Sequence, residues 1–136
     1  MSEAYDLRVA PQVGRILAEW KARHARSPNS AEGLAYKAFK AASARVVTSP
    51  NHCGASQYAL RKPLNGVYRV KLGPKSRYRM FYIFSHQLKA STILWVEPRQ
   101  SGKKADAYKV IEKMLRNGVF DDQFAELNLS LPKAAK

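Results

Sequence analysis

Two neighbouring segments near the middle of the chain, 67–72 and 77–84, alternate apolar or aromatic residues with basic ones. Because side chains alternate across a strand, each segment predicts a β-strand with one face for the core and another that carries cations. The short connection between them favours an antiparallel hairpin. The second strand is expected to place Arg77, Arg79, Phe81 and Ile83 on one face, with Tyr78, Met80, Tyr82 and Phe84 on the other.

The hairpin would bring like charges together. A connection of about five residues, 72–76, pairs Arg69 with Arg79 and Lys71 with Arg77, all on one face at one end of the sheet. Like charges directly opposite one another destabilise a sheet, by roughly 0.2–1 kcal/mol per pair. Because the sheet would bear this cost at more than one pair, the pattern indicates a surface that binds an anion. Cations that snorkel into water from a sheet edge are the alternative interpretation.

The net charge supports an anionic partner. The chain has 136 residues, with 24 lysines and arginines against 10 acidic residues, a formal net charge of +14. Residues 61–104 hold eleven of the cations and one acid, Glu97. A clustered cationic surface is typical of proteins that bind a polyanion, nucleic acid first among them. A solvated basic surface that serves only solubility is the interpretation that charge alone leaves open.

Other patterns around the hairpin complete the fold prediction, an α+β domain of order β-α-α-β-β-β-α that spans residues 1–136. Residues 119–136 are expected to form a C-terminal extension, for which a short helix around 121–128 and a flexible tail are the options. The turn-rich segment 48–66 is expected to be an irregular connection. The predicted elements are a strand at 4–10, helices at 11–26 and 31–47, strands at 67–72, 77–84 and 90–97, and a helix that begins at Asp106 and ends at Asn117–Gly118.

The composition limits the expected cellular location of the protein and the kinds of site that it can form. The only cysteine, Cys53, predicts neither an intrachain disulfide nor a cysteine-rich zinc site. We expect a cytoplasmic protein without a membrane partner, because neither an export signal nor a membrane-spanning stretch is visible. A metal-dependent nuclease is disfavoured, since no cluster of carboxylates or histidines accompanies the basic strands.

The strand motifs "LNGVYRVKLG" and "SRYRMFY", followed by "GKKADAYKVIEKMLRNG", resemble the RelE/ParE superfamily of bacterial type II toxins. Within it, the sequence is most similar to the YhaV toxin family. The resemblance covers most of residues 4–118 in element order. It implies a RelE-like fold, in which a small antiparallel sheet packs against an N-terminal helical hairpin and a C-terminal helix.

The resemblance also implies a function. Such toxins are endoribonucleases that cleave mRNA, commonly on the ribosome, without a metal or other cofactor. A cognate antitoxin, AbrB-like in YhaV-type pairs, silences them. A ParE-like toxin that blocks its target by binding alone, or a basic RNA-binding module, is the alternative. Association with a second copy of the chain stays open.

The resemblance carries over residue by residue. Arg69 and Lys71 match the two cations of the first hairpin strand, Arg79 matches the arginine of the next strand, and Tyr108 matches the tyrosine of the last helix. We expect Arg79 to stabilise the charge of the transition state and Lys71 and Tyr108 to act as base and acid, in an order left open. Tyr68, Tyr78 or Tyr82 is expected to stack on an RNA base. The remaining candidates for RNA binding are Lys75, Arg77, Arg99, Lys103 and Lys104.

Overall fold

The structure of the protein is a computed structural model that describes residues 4–52, 57–60, 64–72, 78–98 and 106–132. The predicted order of elements is present, with one added strand, β2. The C-terminal extension contains a short helix, α4, in the region 121–128 that was open to one. In chain order the elements are β1 (Asp6–Val9), α1 (Pro11–Arg26), α2 (Ala31–Thr48), β2 (Gln57–Ala59), β3 (Tyr68–Leu72), β4 (Tyr78–Ser85), β5 (Ala90–Pro98), α3 (Asp106–Arg116) and α4 (Asp121–Glu126).

The strands form one sheet in the order β1-β5-β4-β3-β2. The hairpins β2–β3, β3–β4 and β4–β5 are antiparallel, as predicted for the central strands, whereas β1 runs parallel to β5. The long route from β1 to β5 includes both N-terminal helices, which a parallel pairing permits. Within the described ranges, no helix is long and apolar enough to span a bilayer.

One face of the sheet is covered by the helical hairpin of α1 and α2. Pro11 begins α1 at a position where its missing N–H costs nothing, and the Ser30 hydroxyl caps α2 by accepting a hydrogen bond from the Gly33 N–H at 3.1 Å. The core on this side joins the apolar stripes of both helices to alternate residues of the strands. Its buried members include Val13, Trp20, Ala35, Phe39, Ala42, Val46, Val70, Leu72, Tyr78, Met80, Tyr82 and Ile93.

The opposite face of the sheet packs against α3 and α4. Phe81 and Ile83 of β4 point to this side and are fully buried. Arg116 is the last helical residue of α3, and Gly118 follows in the left-handed region with φ +77°, the expected end of a helix. The buried helical and C-terminal residues of this second core are Ile111, Leu115, Phe120, Phe124 and Leu127.

The strand β2 is absent from the prediction. Among the residues described around it, three pair with β3, too few to give a periodic signal among turn formers. Side-chain hydrogen bonds hold the strand in place. The Gln57 amide donates to the Tyr82 hydroxyl and to the Ser49 carbonyl, both at 2.8 Å, and the Tyr82 hydroxyl donates to the Pro50 carbonyl. Residues Gln57–Ala59 are therefore held by these polar contacts together with their pairing to β3.

The close approach of Gly33, near the start of α2, to the turn before it leads to a prediction about stability. A Cβ atom added at Gly33 would lie 2.6 Å from the Ser27 carbonyl oxygen and 2.7 Å from that of Pro28. We expect Gly33→Ala to lower the free energy of unfolding by about 1–3 kcal/mol in urea titrations, because backbone atoms must move. Gly14→Ala is the matched control, because a Cβ atom meets nothing within 4 Å there. It should stabilise α1 by up to about 1 kcal/mol. Equal unfolding midpoints for the two variants would contradict this account of the turn.

Candidate active site

The pairing of β3 with β4 brings three cations onto one face of the sheet. Lys71 lies directly opposite Arg79, and Arg69 lies opposite Phe81. The predicted pairing of Arg69 with Arg79 and of Lys71 with Arg77 is therefore wrong by two residues. Because side chains repeat every two residues along a strand, a shift of two leaves each of them on its predicted face. Arg69 and Arg79 become diagonal rather than direct neighbours.

Two of these cations are buried. Arg69 is 8% exposed and Arg79 is 5% exposed, whereas Lys71 is half-buried. Removal of a charged group from water costs several kcal/mol unless other interactions replace its hydration. The Arg69 guanidinium carbon lies 5.0 Å from the centroid of the Tyr58 ring, and an Nη1 hydrogen of Arg79 points to the Tyr78 carbonyl oxygen at 3.4 Å. Burial and these two contacts therefore hold both guanidinium groups against the sheet.

Tyr108 reaches the same face from α3. Its ring is half-buried and meets the Phe81 ring edge to face, with the two centroids 6.0 Å apart. Phe81 in turn lies directly opposite Arg69 and two residues from Arg79 on β4. The four predicted catalytic residues thus gather on one side of the sheet, with Phe81 as the shared neighbour. The predicted RNA-binding residues Lys75, Arg77, Arg99, Lys103 and Lys104 lie outside the described residues.

A bulge in β5 completes this side of the sheet. The register shifts between Phe81 and Tyr82, so that Trp95 lies opposite Phe81 and Glu97 lies opposite Arg79. The extra residue of β5, Leu94, packs into the core under α3. The Trp95 indole N–H donates to the Glu97 carboxylate at 2.6 Å. An acidic side chain is therefore the cross-strand neighbour of Arg79.

Two tyrosines are not available for the predicted stacking on an RNA base. Tyr78 is 8% exposed and Tyr82 is fully buried, and both face α1 and α2 rather than the cations. Their hydrophobic surface belongs to the core, so that part of the prediction is wrong. Tyr68 is half-buried and its ring contacts the rings of Tyr82 and Phe84.

Tyr58 is the aromatic residue that sequence reasoning missed. It lies directly opposite Arg69 in the β2–β3 pair, and its ring faces the guanidinium. A cation over a tyrosine ring gains about 0.5–2 kcal/mol, more when water is excluded. No signal in the sequence pointed to this contact, because β2 itself was not predicted.

The arrangement is suited to bind a phosphate group. Planar guanidinium groups bind two phosphate oxygens at once and keep their charge at any physiological pH. Arg69, Lys71 and Arg79 supply three cations on adjacent strands, and the Tyr108 hydroxyl supplies a group that exchanges a proton. Among the described residues, no three histidine, cysteine, aspartate or glutamate side chains converge as a metal site would require.

Solved structures place this fold in a known class, the RelE-type toxins. A RelBE toxin–antitoxin complex from Mycobacterium tuberculosis aligns with a TM-score of 0.51 and 20% identity, over 71% of this chain and all of the matched chain. An arginine-to-alanine mutant of the Escherichia coli toxin RelE in the free state aligns with a TM-score of 0.51 and 22% identity, over 85% of this chain and 98% of RelE. The predicted RelE-like fold is confirmed.

The particular family follows from the sequence. The profile of the YhaV toxin family, described as a toxin with endonuclease activity of a toxin–antitoxin system, matches residues 8–131. The chain belongs to this family, as the resemblance predicted. It is also 43% identical over 54 residues to the ribonuclease toxin YhaV of Escherichia coli K12 and to the toxin YhaV of Escherichia coli O157:H7. That alignment covers 37% of this chain and 34% of each relative, so the chain spans about a third of their length there.

Proposed function

We propose that this protein is the toxin of a type II toxin–antitoxin pair and cleaves mRNA as a metal-independent endoribonuclease. The observation that carries the proposal is the gathering of Arg69, Lys71 and Arg79 on one face, beside Tyr108. Membership of the YhaV family and the 43% identical segment support ribonuclease activity. The buried position of two arginines supports a phosphate as the ligand, because a bound anion offsets the repulsion between them.

The proposed reaction uses the nucleophile of the RNA itself. The 2′-oxygen attacks the adjacent phosphorus, the bond from phosphorus to the 5′-oxygen breaks, and a 2′,3′-cyclic phosphate forms. A base takes the proton of the 2′-hydroxyl, and an acid gives a proton to the departing 5′-oxygen. We assign these two proton transfers to Lys71 and Tyr108. Lys71 belongs to the cation cluster, which consists of Arg69, Lys71 and Arg79, and Tyr108 lies beside it. Arg79, with Arg69, stabilises the extra negative charge that develops on the phosphate oxygens.

The proposed activity involves two kinds of partner, the RNA substrate on the ribosome and an antitoxin. The RNA is a messenger, bound in the cytoplasm and cut on the ribosome, and Lys75, Arg77, Arg99, Lys103 and Lys104 contact its backbone. A cognate antitoxin of the AbrB-like class silences the toxin. The RelBE toxin–antitoxin complex that shares the fold and the description of the family support an antitoxin partner.

The test of this proposal combines a growth assay with an analysis of the RNA cleavage products. Expression of the chain should arrest growth, and coexpression of the neighbouring open reading frame should restore it. The purified protein should cleave RNA in the presence of EDTA and leave cyclic-phosphate or 3′-phosphate ends, which end mapping detects. Addition of a translating ribosome mixture should increase the rate of cleavage relative to naked RNA.

Three outcomes would contradict the proposal in different ways. Growth arrest without any RNA cleavage would favour a toxin that acts by binding alone. An absolute need for a divalent metal in the chemical step would overturn the metal-independent reaction. Products with a 3′-hydroxyl would exclude attack by the 2′-oxygen.

Tyr58 is proposed as a positioning residue for Arg69. We expect Tyr58→Leu to raise KM for RNA about 3- to 30-fold with a smaller effect on kcat, because loss of the ring removes about 0.5–2 kcal/mol of cation–π attraction. Tyr58→Phe keeps the aromatic face and should restore the wild-type KM. Steady-state cleavage of a short RNA checks both variants. Equal KM values for the leucine and phenylalanine variants would show that the ring has only a packing role.

A further inference from the structure

A groove of about 410 Å³ lies outside the cation cluster, between α1 and the second half of β5. Its walls are aromatic. The rings of Trp20 and Tyr78 meet edge to face, with their centroids 4.9 Å apart, and Trp95 lines the groove from the edge of the sheet. Trp20 and Tyr78 are largely buried and Trp95 is partly exposed. Trp95 therefore supplies most of the aromatic surface that remains open, and the buried rings of Trp20 and Tyr78 support it from the core.

Three carboxylates border these rings. Glu19 of α1 and Glu32 of α2 line the groove from the helices. Glu97 of β5, whose carboxylate accepts a hydrogen bond from the Trp95 indole, borders the groove from the strand and is also the cross-strand neighbour of Arg79. The three carboxylates are among only 10 acidic residues in a chain of net charge +14. In the part of the chain that the structure describes, none of the three forms an ion pair, and Arg23 is the only basic residue that lines the groove. The groove is thus locally acidic on a strongly basic protein.

The strand beside the groove has an open edge. β1 pairs with Ala90–Ile93 of β5 only, so among the described strands none covers the same side of Leu94–Glu97. An open strand edge is a template for an extended segment of another chain, whose side chains then alternate toward the two faces. A segment that pairs with this part of β5 would direct every second side chain toward the α1 side of the sheet.

We propose that this groove binds an arginine or lysine side chain of a polypeptide partner, presented from an extended segment along the open edge of β5. Aromatic faces attract a cation, and the surrounding carboxylates neutralise its charge. Glu19 and Glu32 repel phosphate groups, which disfavours an RNA strand as the occupant. The proposal does not depend on the ribonuclease activity.

The two tryptophans provide a direct readout. The chain contains only two, Trp20 and Trp95, and both line the groove. The ¹⁵N-labelled protein is titrated with acetyl-Thr-Arg-Thr-amide, and the indole N–H signals are followed by NMR. We expect saturable shifts. The peptide with neutral citrulline in place of arginine should bind about 10-fold more weakly, since it lacks the charge on which the cation–π attraction depends. Glu19→Gln combined with Glu32→Gln should weaken binding of the arginine peptide similarly.

A control variant and two comparison ligands distinguish the proposed cation site from its alternatives. Glu126→Gln removes an exposed carboxylate of α4 and should leave the titration unchanged. Equal affinity for the arginine and citrulline peptides, or no indole shift, would overturn the proposal. Stronger indole shifts with guanosine monophosphate than with the arginine peptide would identify a nucleobase site and overturn it as well.

The double glutamine variant also separates this proposal from the ribonuclease proposal. It should cleave RNA at the wild-type rate, and a selective loss of cleavage would assign the groove to the RNA site instead. Failure of the wild-type protein to cleave RNA would count against the ribonuclease proposal alone. The peptide titration would still decide whether the groove binds a cation.

Discussion

Replacement of Arg79 with alanine lowers the rate of RNA cleavage by about 100- to 1,000-fold, which corresponds to a loss of about 2.7–4 kcal/mol of transition-state stabilisation. Arg79 is the most buried of the three cations, and Lys71 lies directly opposite it on β3. Its planar guanidinium contacts two phosphate oxygens at once in the proposed transition state. The measurement is kcat/KM for a defined RNA, together with growth after expression of the variant.

Two further variants control the interpretation of the Arg79 result. Arg79→Lys keeps the positive charge but not the planar pair of donors, and it should recover only part of the lost rate. Arg15→Ala removes the same charge from an exposed position of α1 and should cleave RNA normally. The midpoint of thermal unfolding of Arg79→Ala is measured beside the rate to show that the variant is folded, because truncation of a buried side chain also removes packing. Unchanged toxicity of a folded Arg79→Ala protein would remove this residue from the site.

Loss of either proposed proton-transfer group has a comparable or larger effect. Lys71→Met and Tyr108→Phe should each lower kcat by about 100- to 10,000-fold, the usual contribution of general acid–base catalysis. Both substitutions preserve shape. Methionine fills the half-buried position of Lys71, and phenylalanine keeps the edge-to-face contact with Phe81.

A modified substrate assigns the two roles. RNA with sulfur in place of the bridging 5′-oxygen has a leaving group that departs without a proton. The variant that lacks the acid should therefore regain much of its rate on this RNA, whereas the variant that lacks the base should not. A variant that cleaves ordinary RNA at nearly the wild-type rate would show that its residue takes no part in proton transfer.

Much of the fold was predictable because its signals are local. The apolar stripes of α1 and α2 and the alternation in β3 and β4 depend on residues close together in the chain. The end of α3 at Arg116 followed from the glycine two positions later. The strand β2 was missed because its three residues are fixed by the contact of Gln57 with Tyr82, which joins positions 25 residues apart.

The sequence allowed the cations of the candidate site to be predicted, but not the residues that surround them. Arg69, Lys71 and Arg79 share a face in the structure as they do in the alternating pattern. The contact of Tyr58 with Arg69 required a strand that had no sequence signal. The assignment of Tyr78 and Tyr82 to an RNA-stacking role was wrong, because their alternation with the cations already directs them to the core under α1 and α2.

The sequence by itself determined which side chains share a face of β3 and of β4, because alternation along a regular strand is a property of the extended backbone and needs no partner. Only the tertiary structure decided which of them meet across strands. The β3–β4 pairing is shifted by two residues from the predicted one, and the bulge at Leu94 puts Glu97 rather than Val96 opposite Arg79. Register and bulge are set by simultaneous packing of both sheet faces against helices that come from opposite ends of the chain.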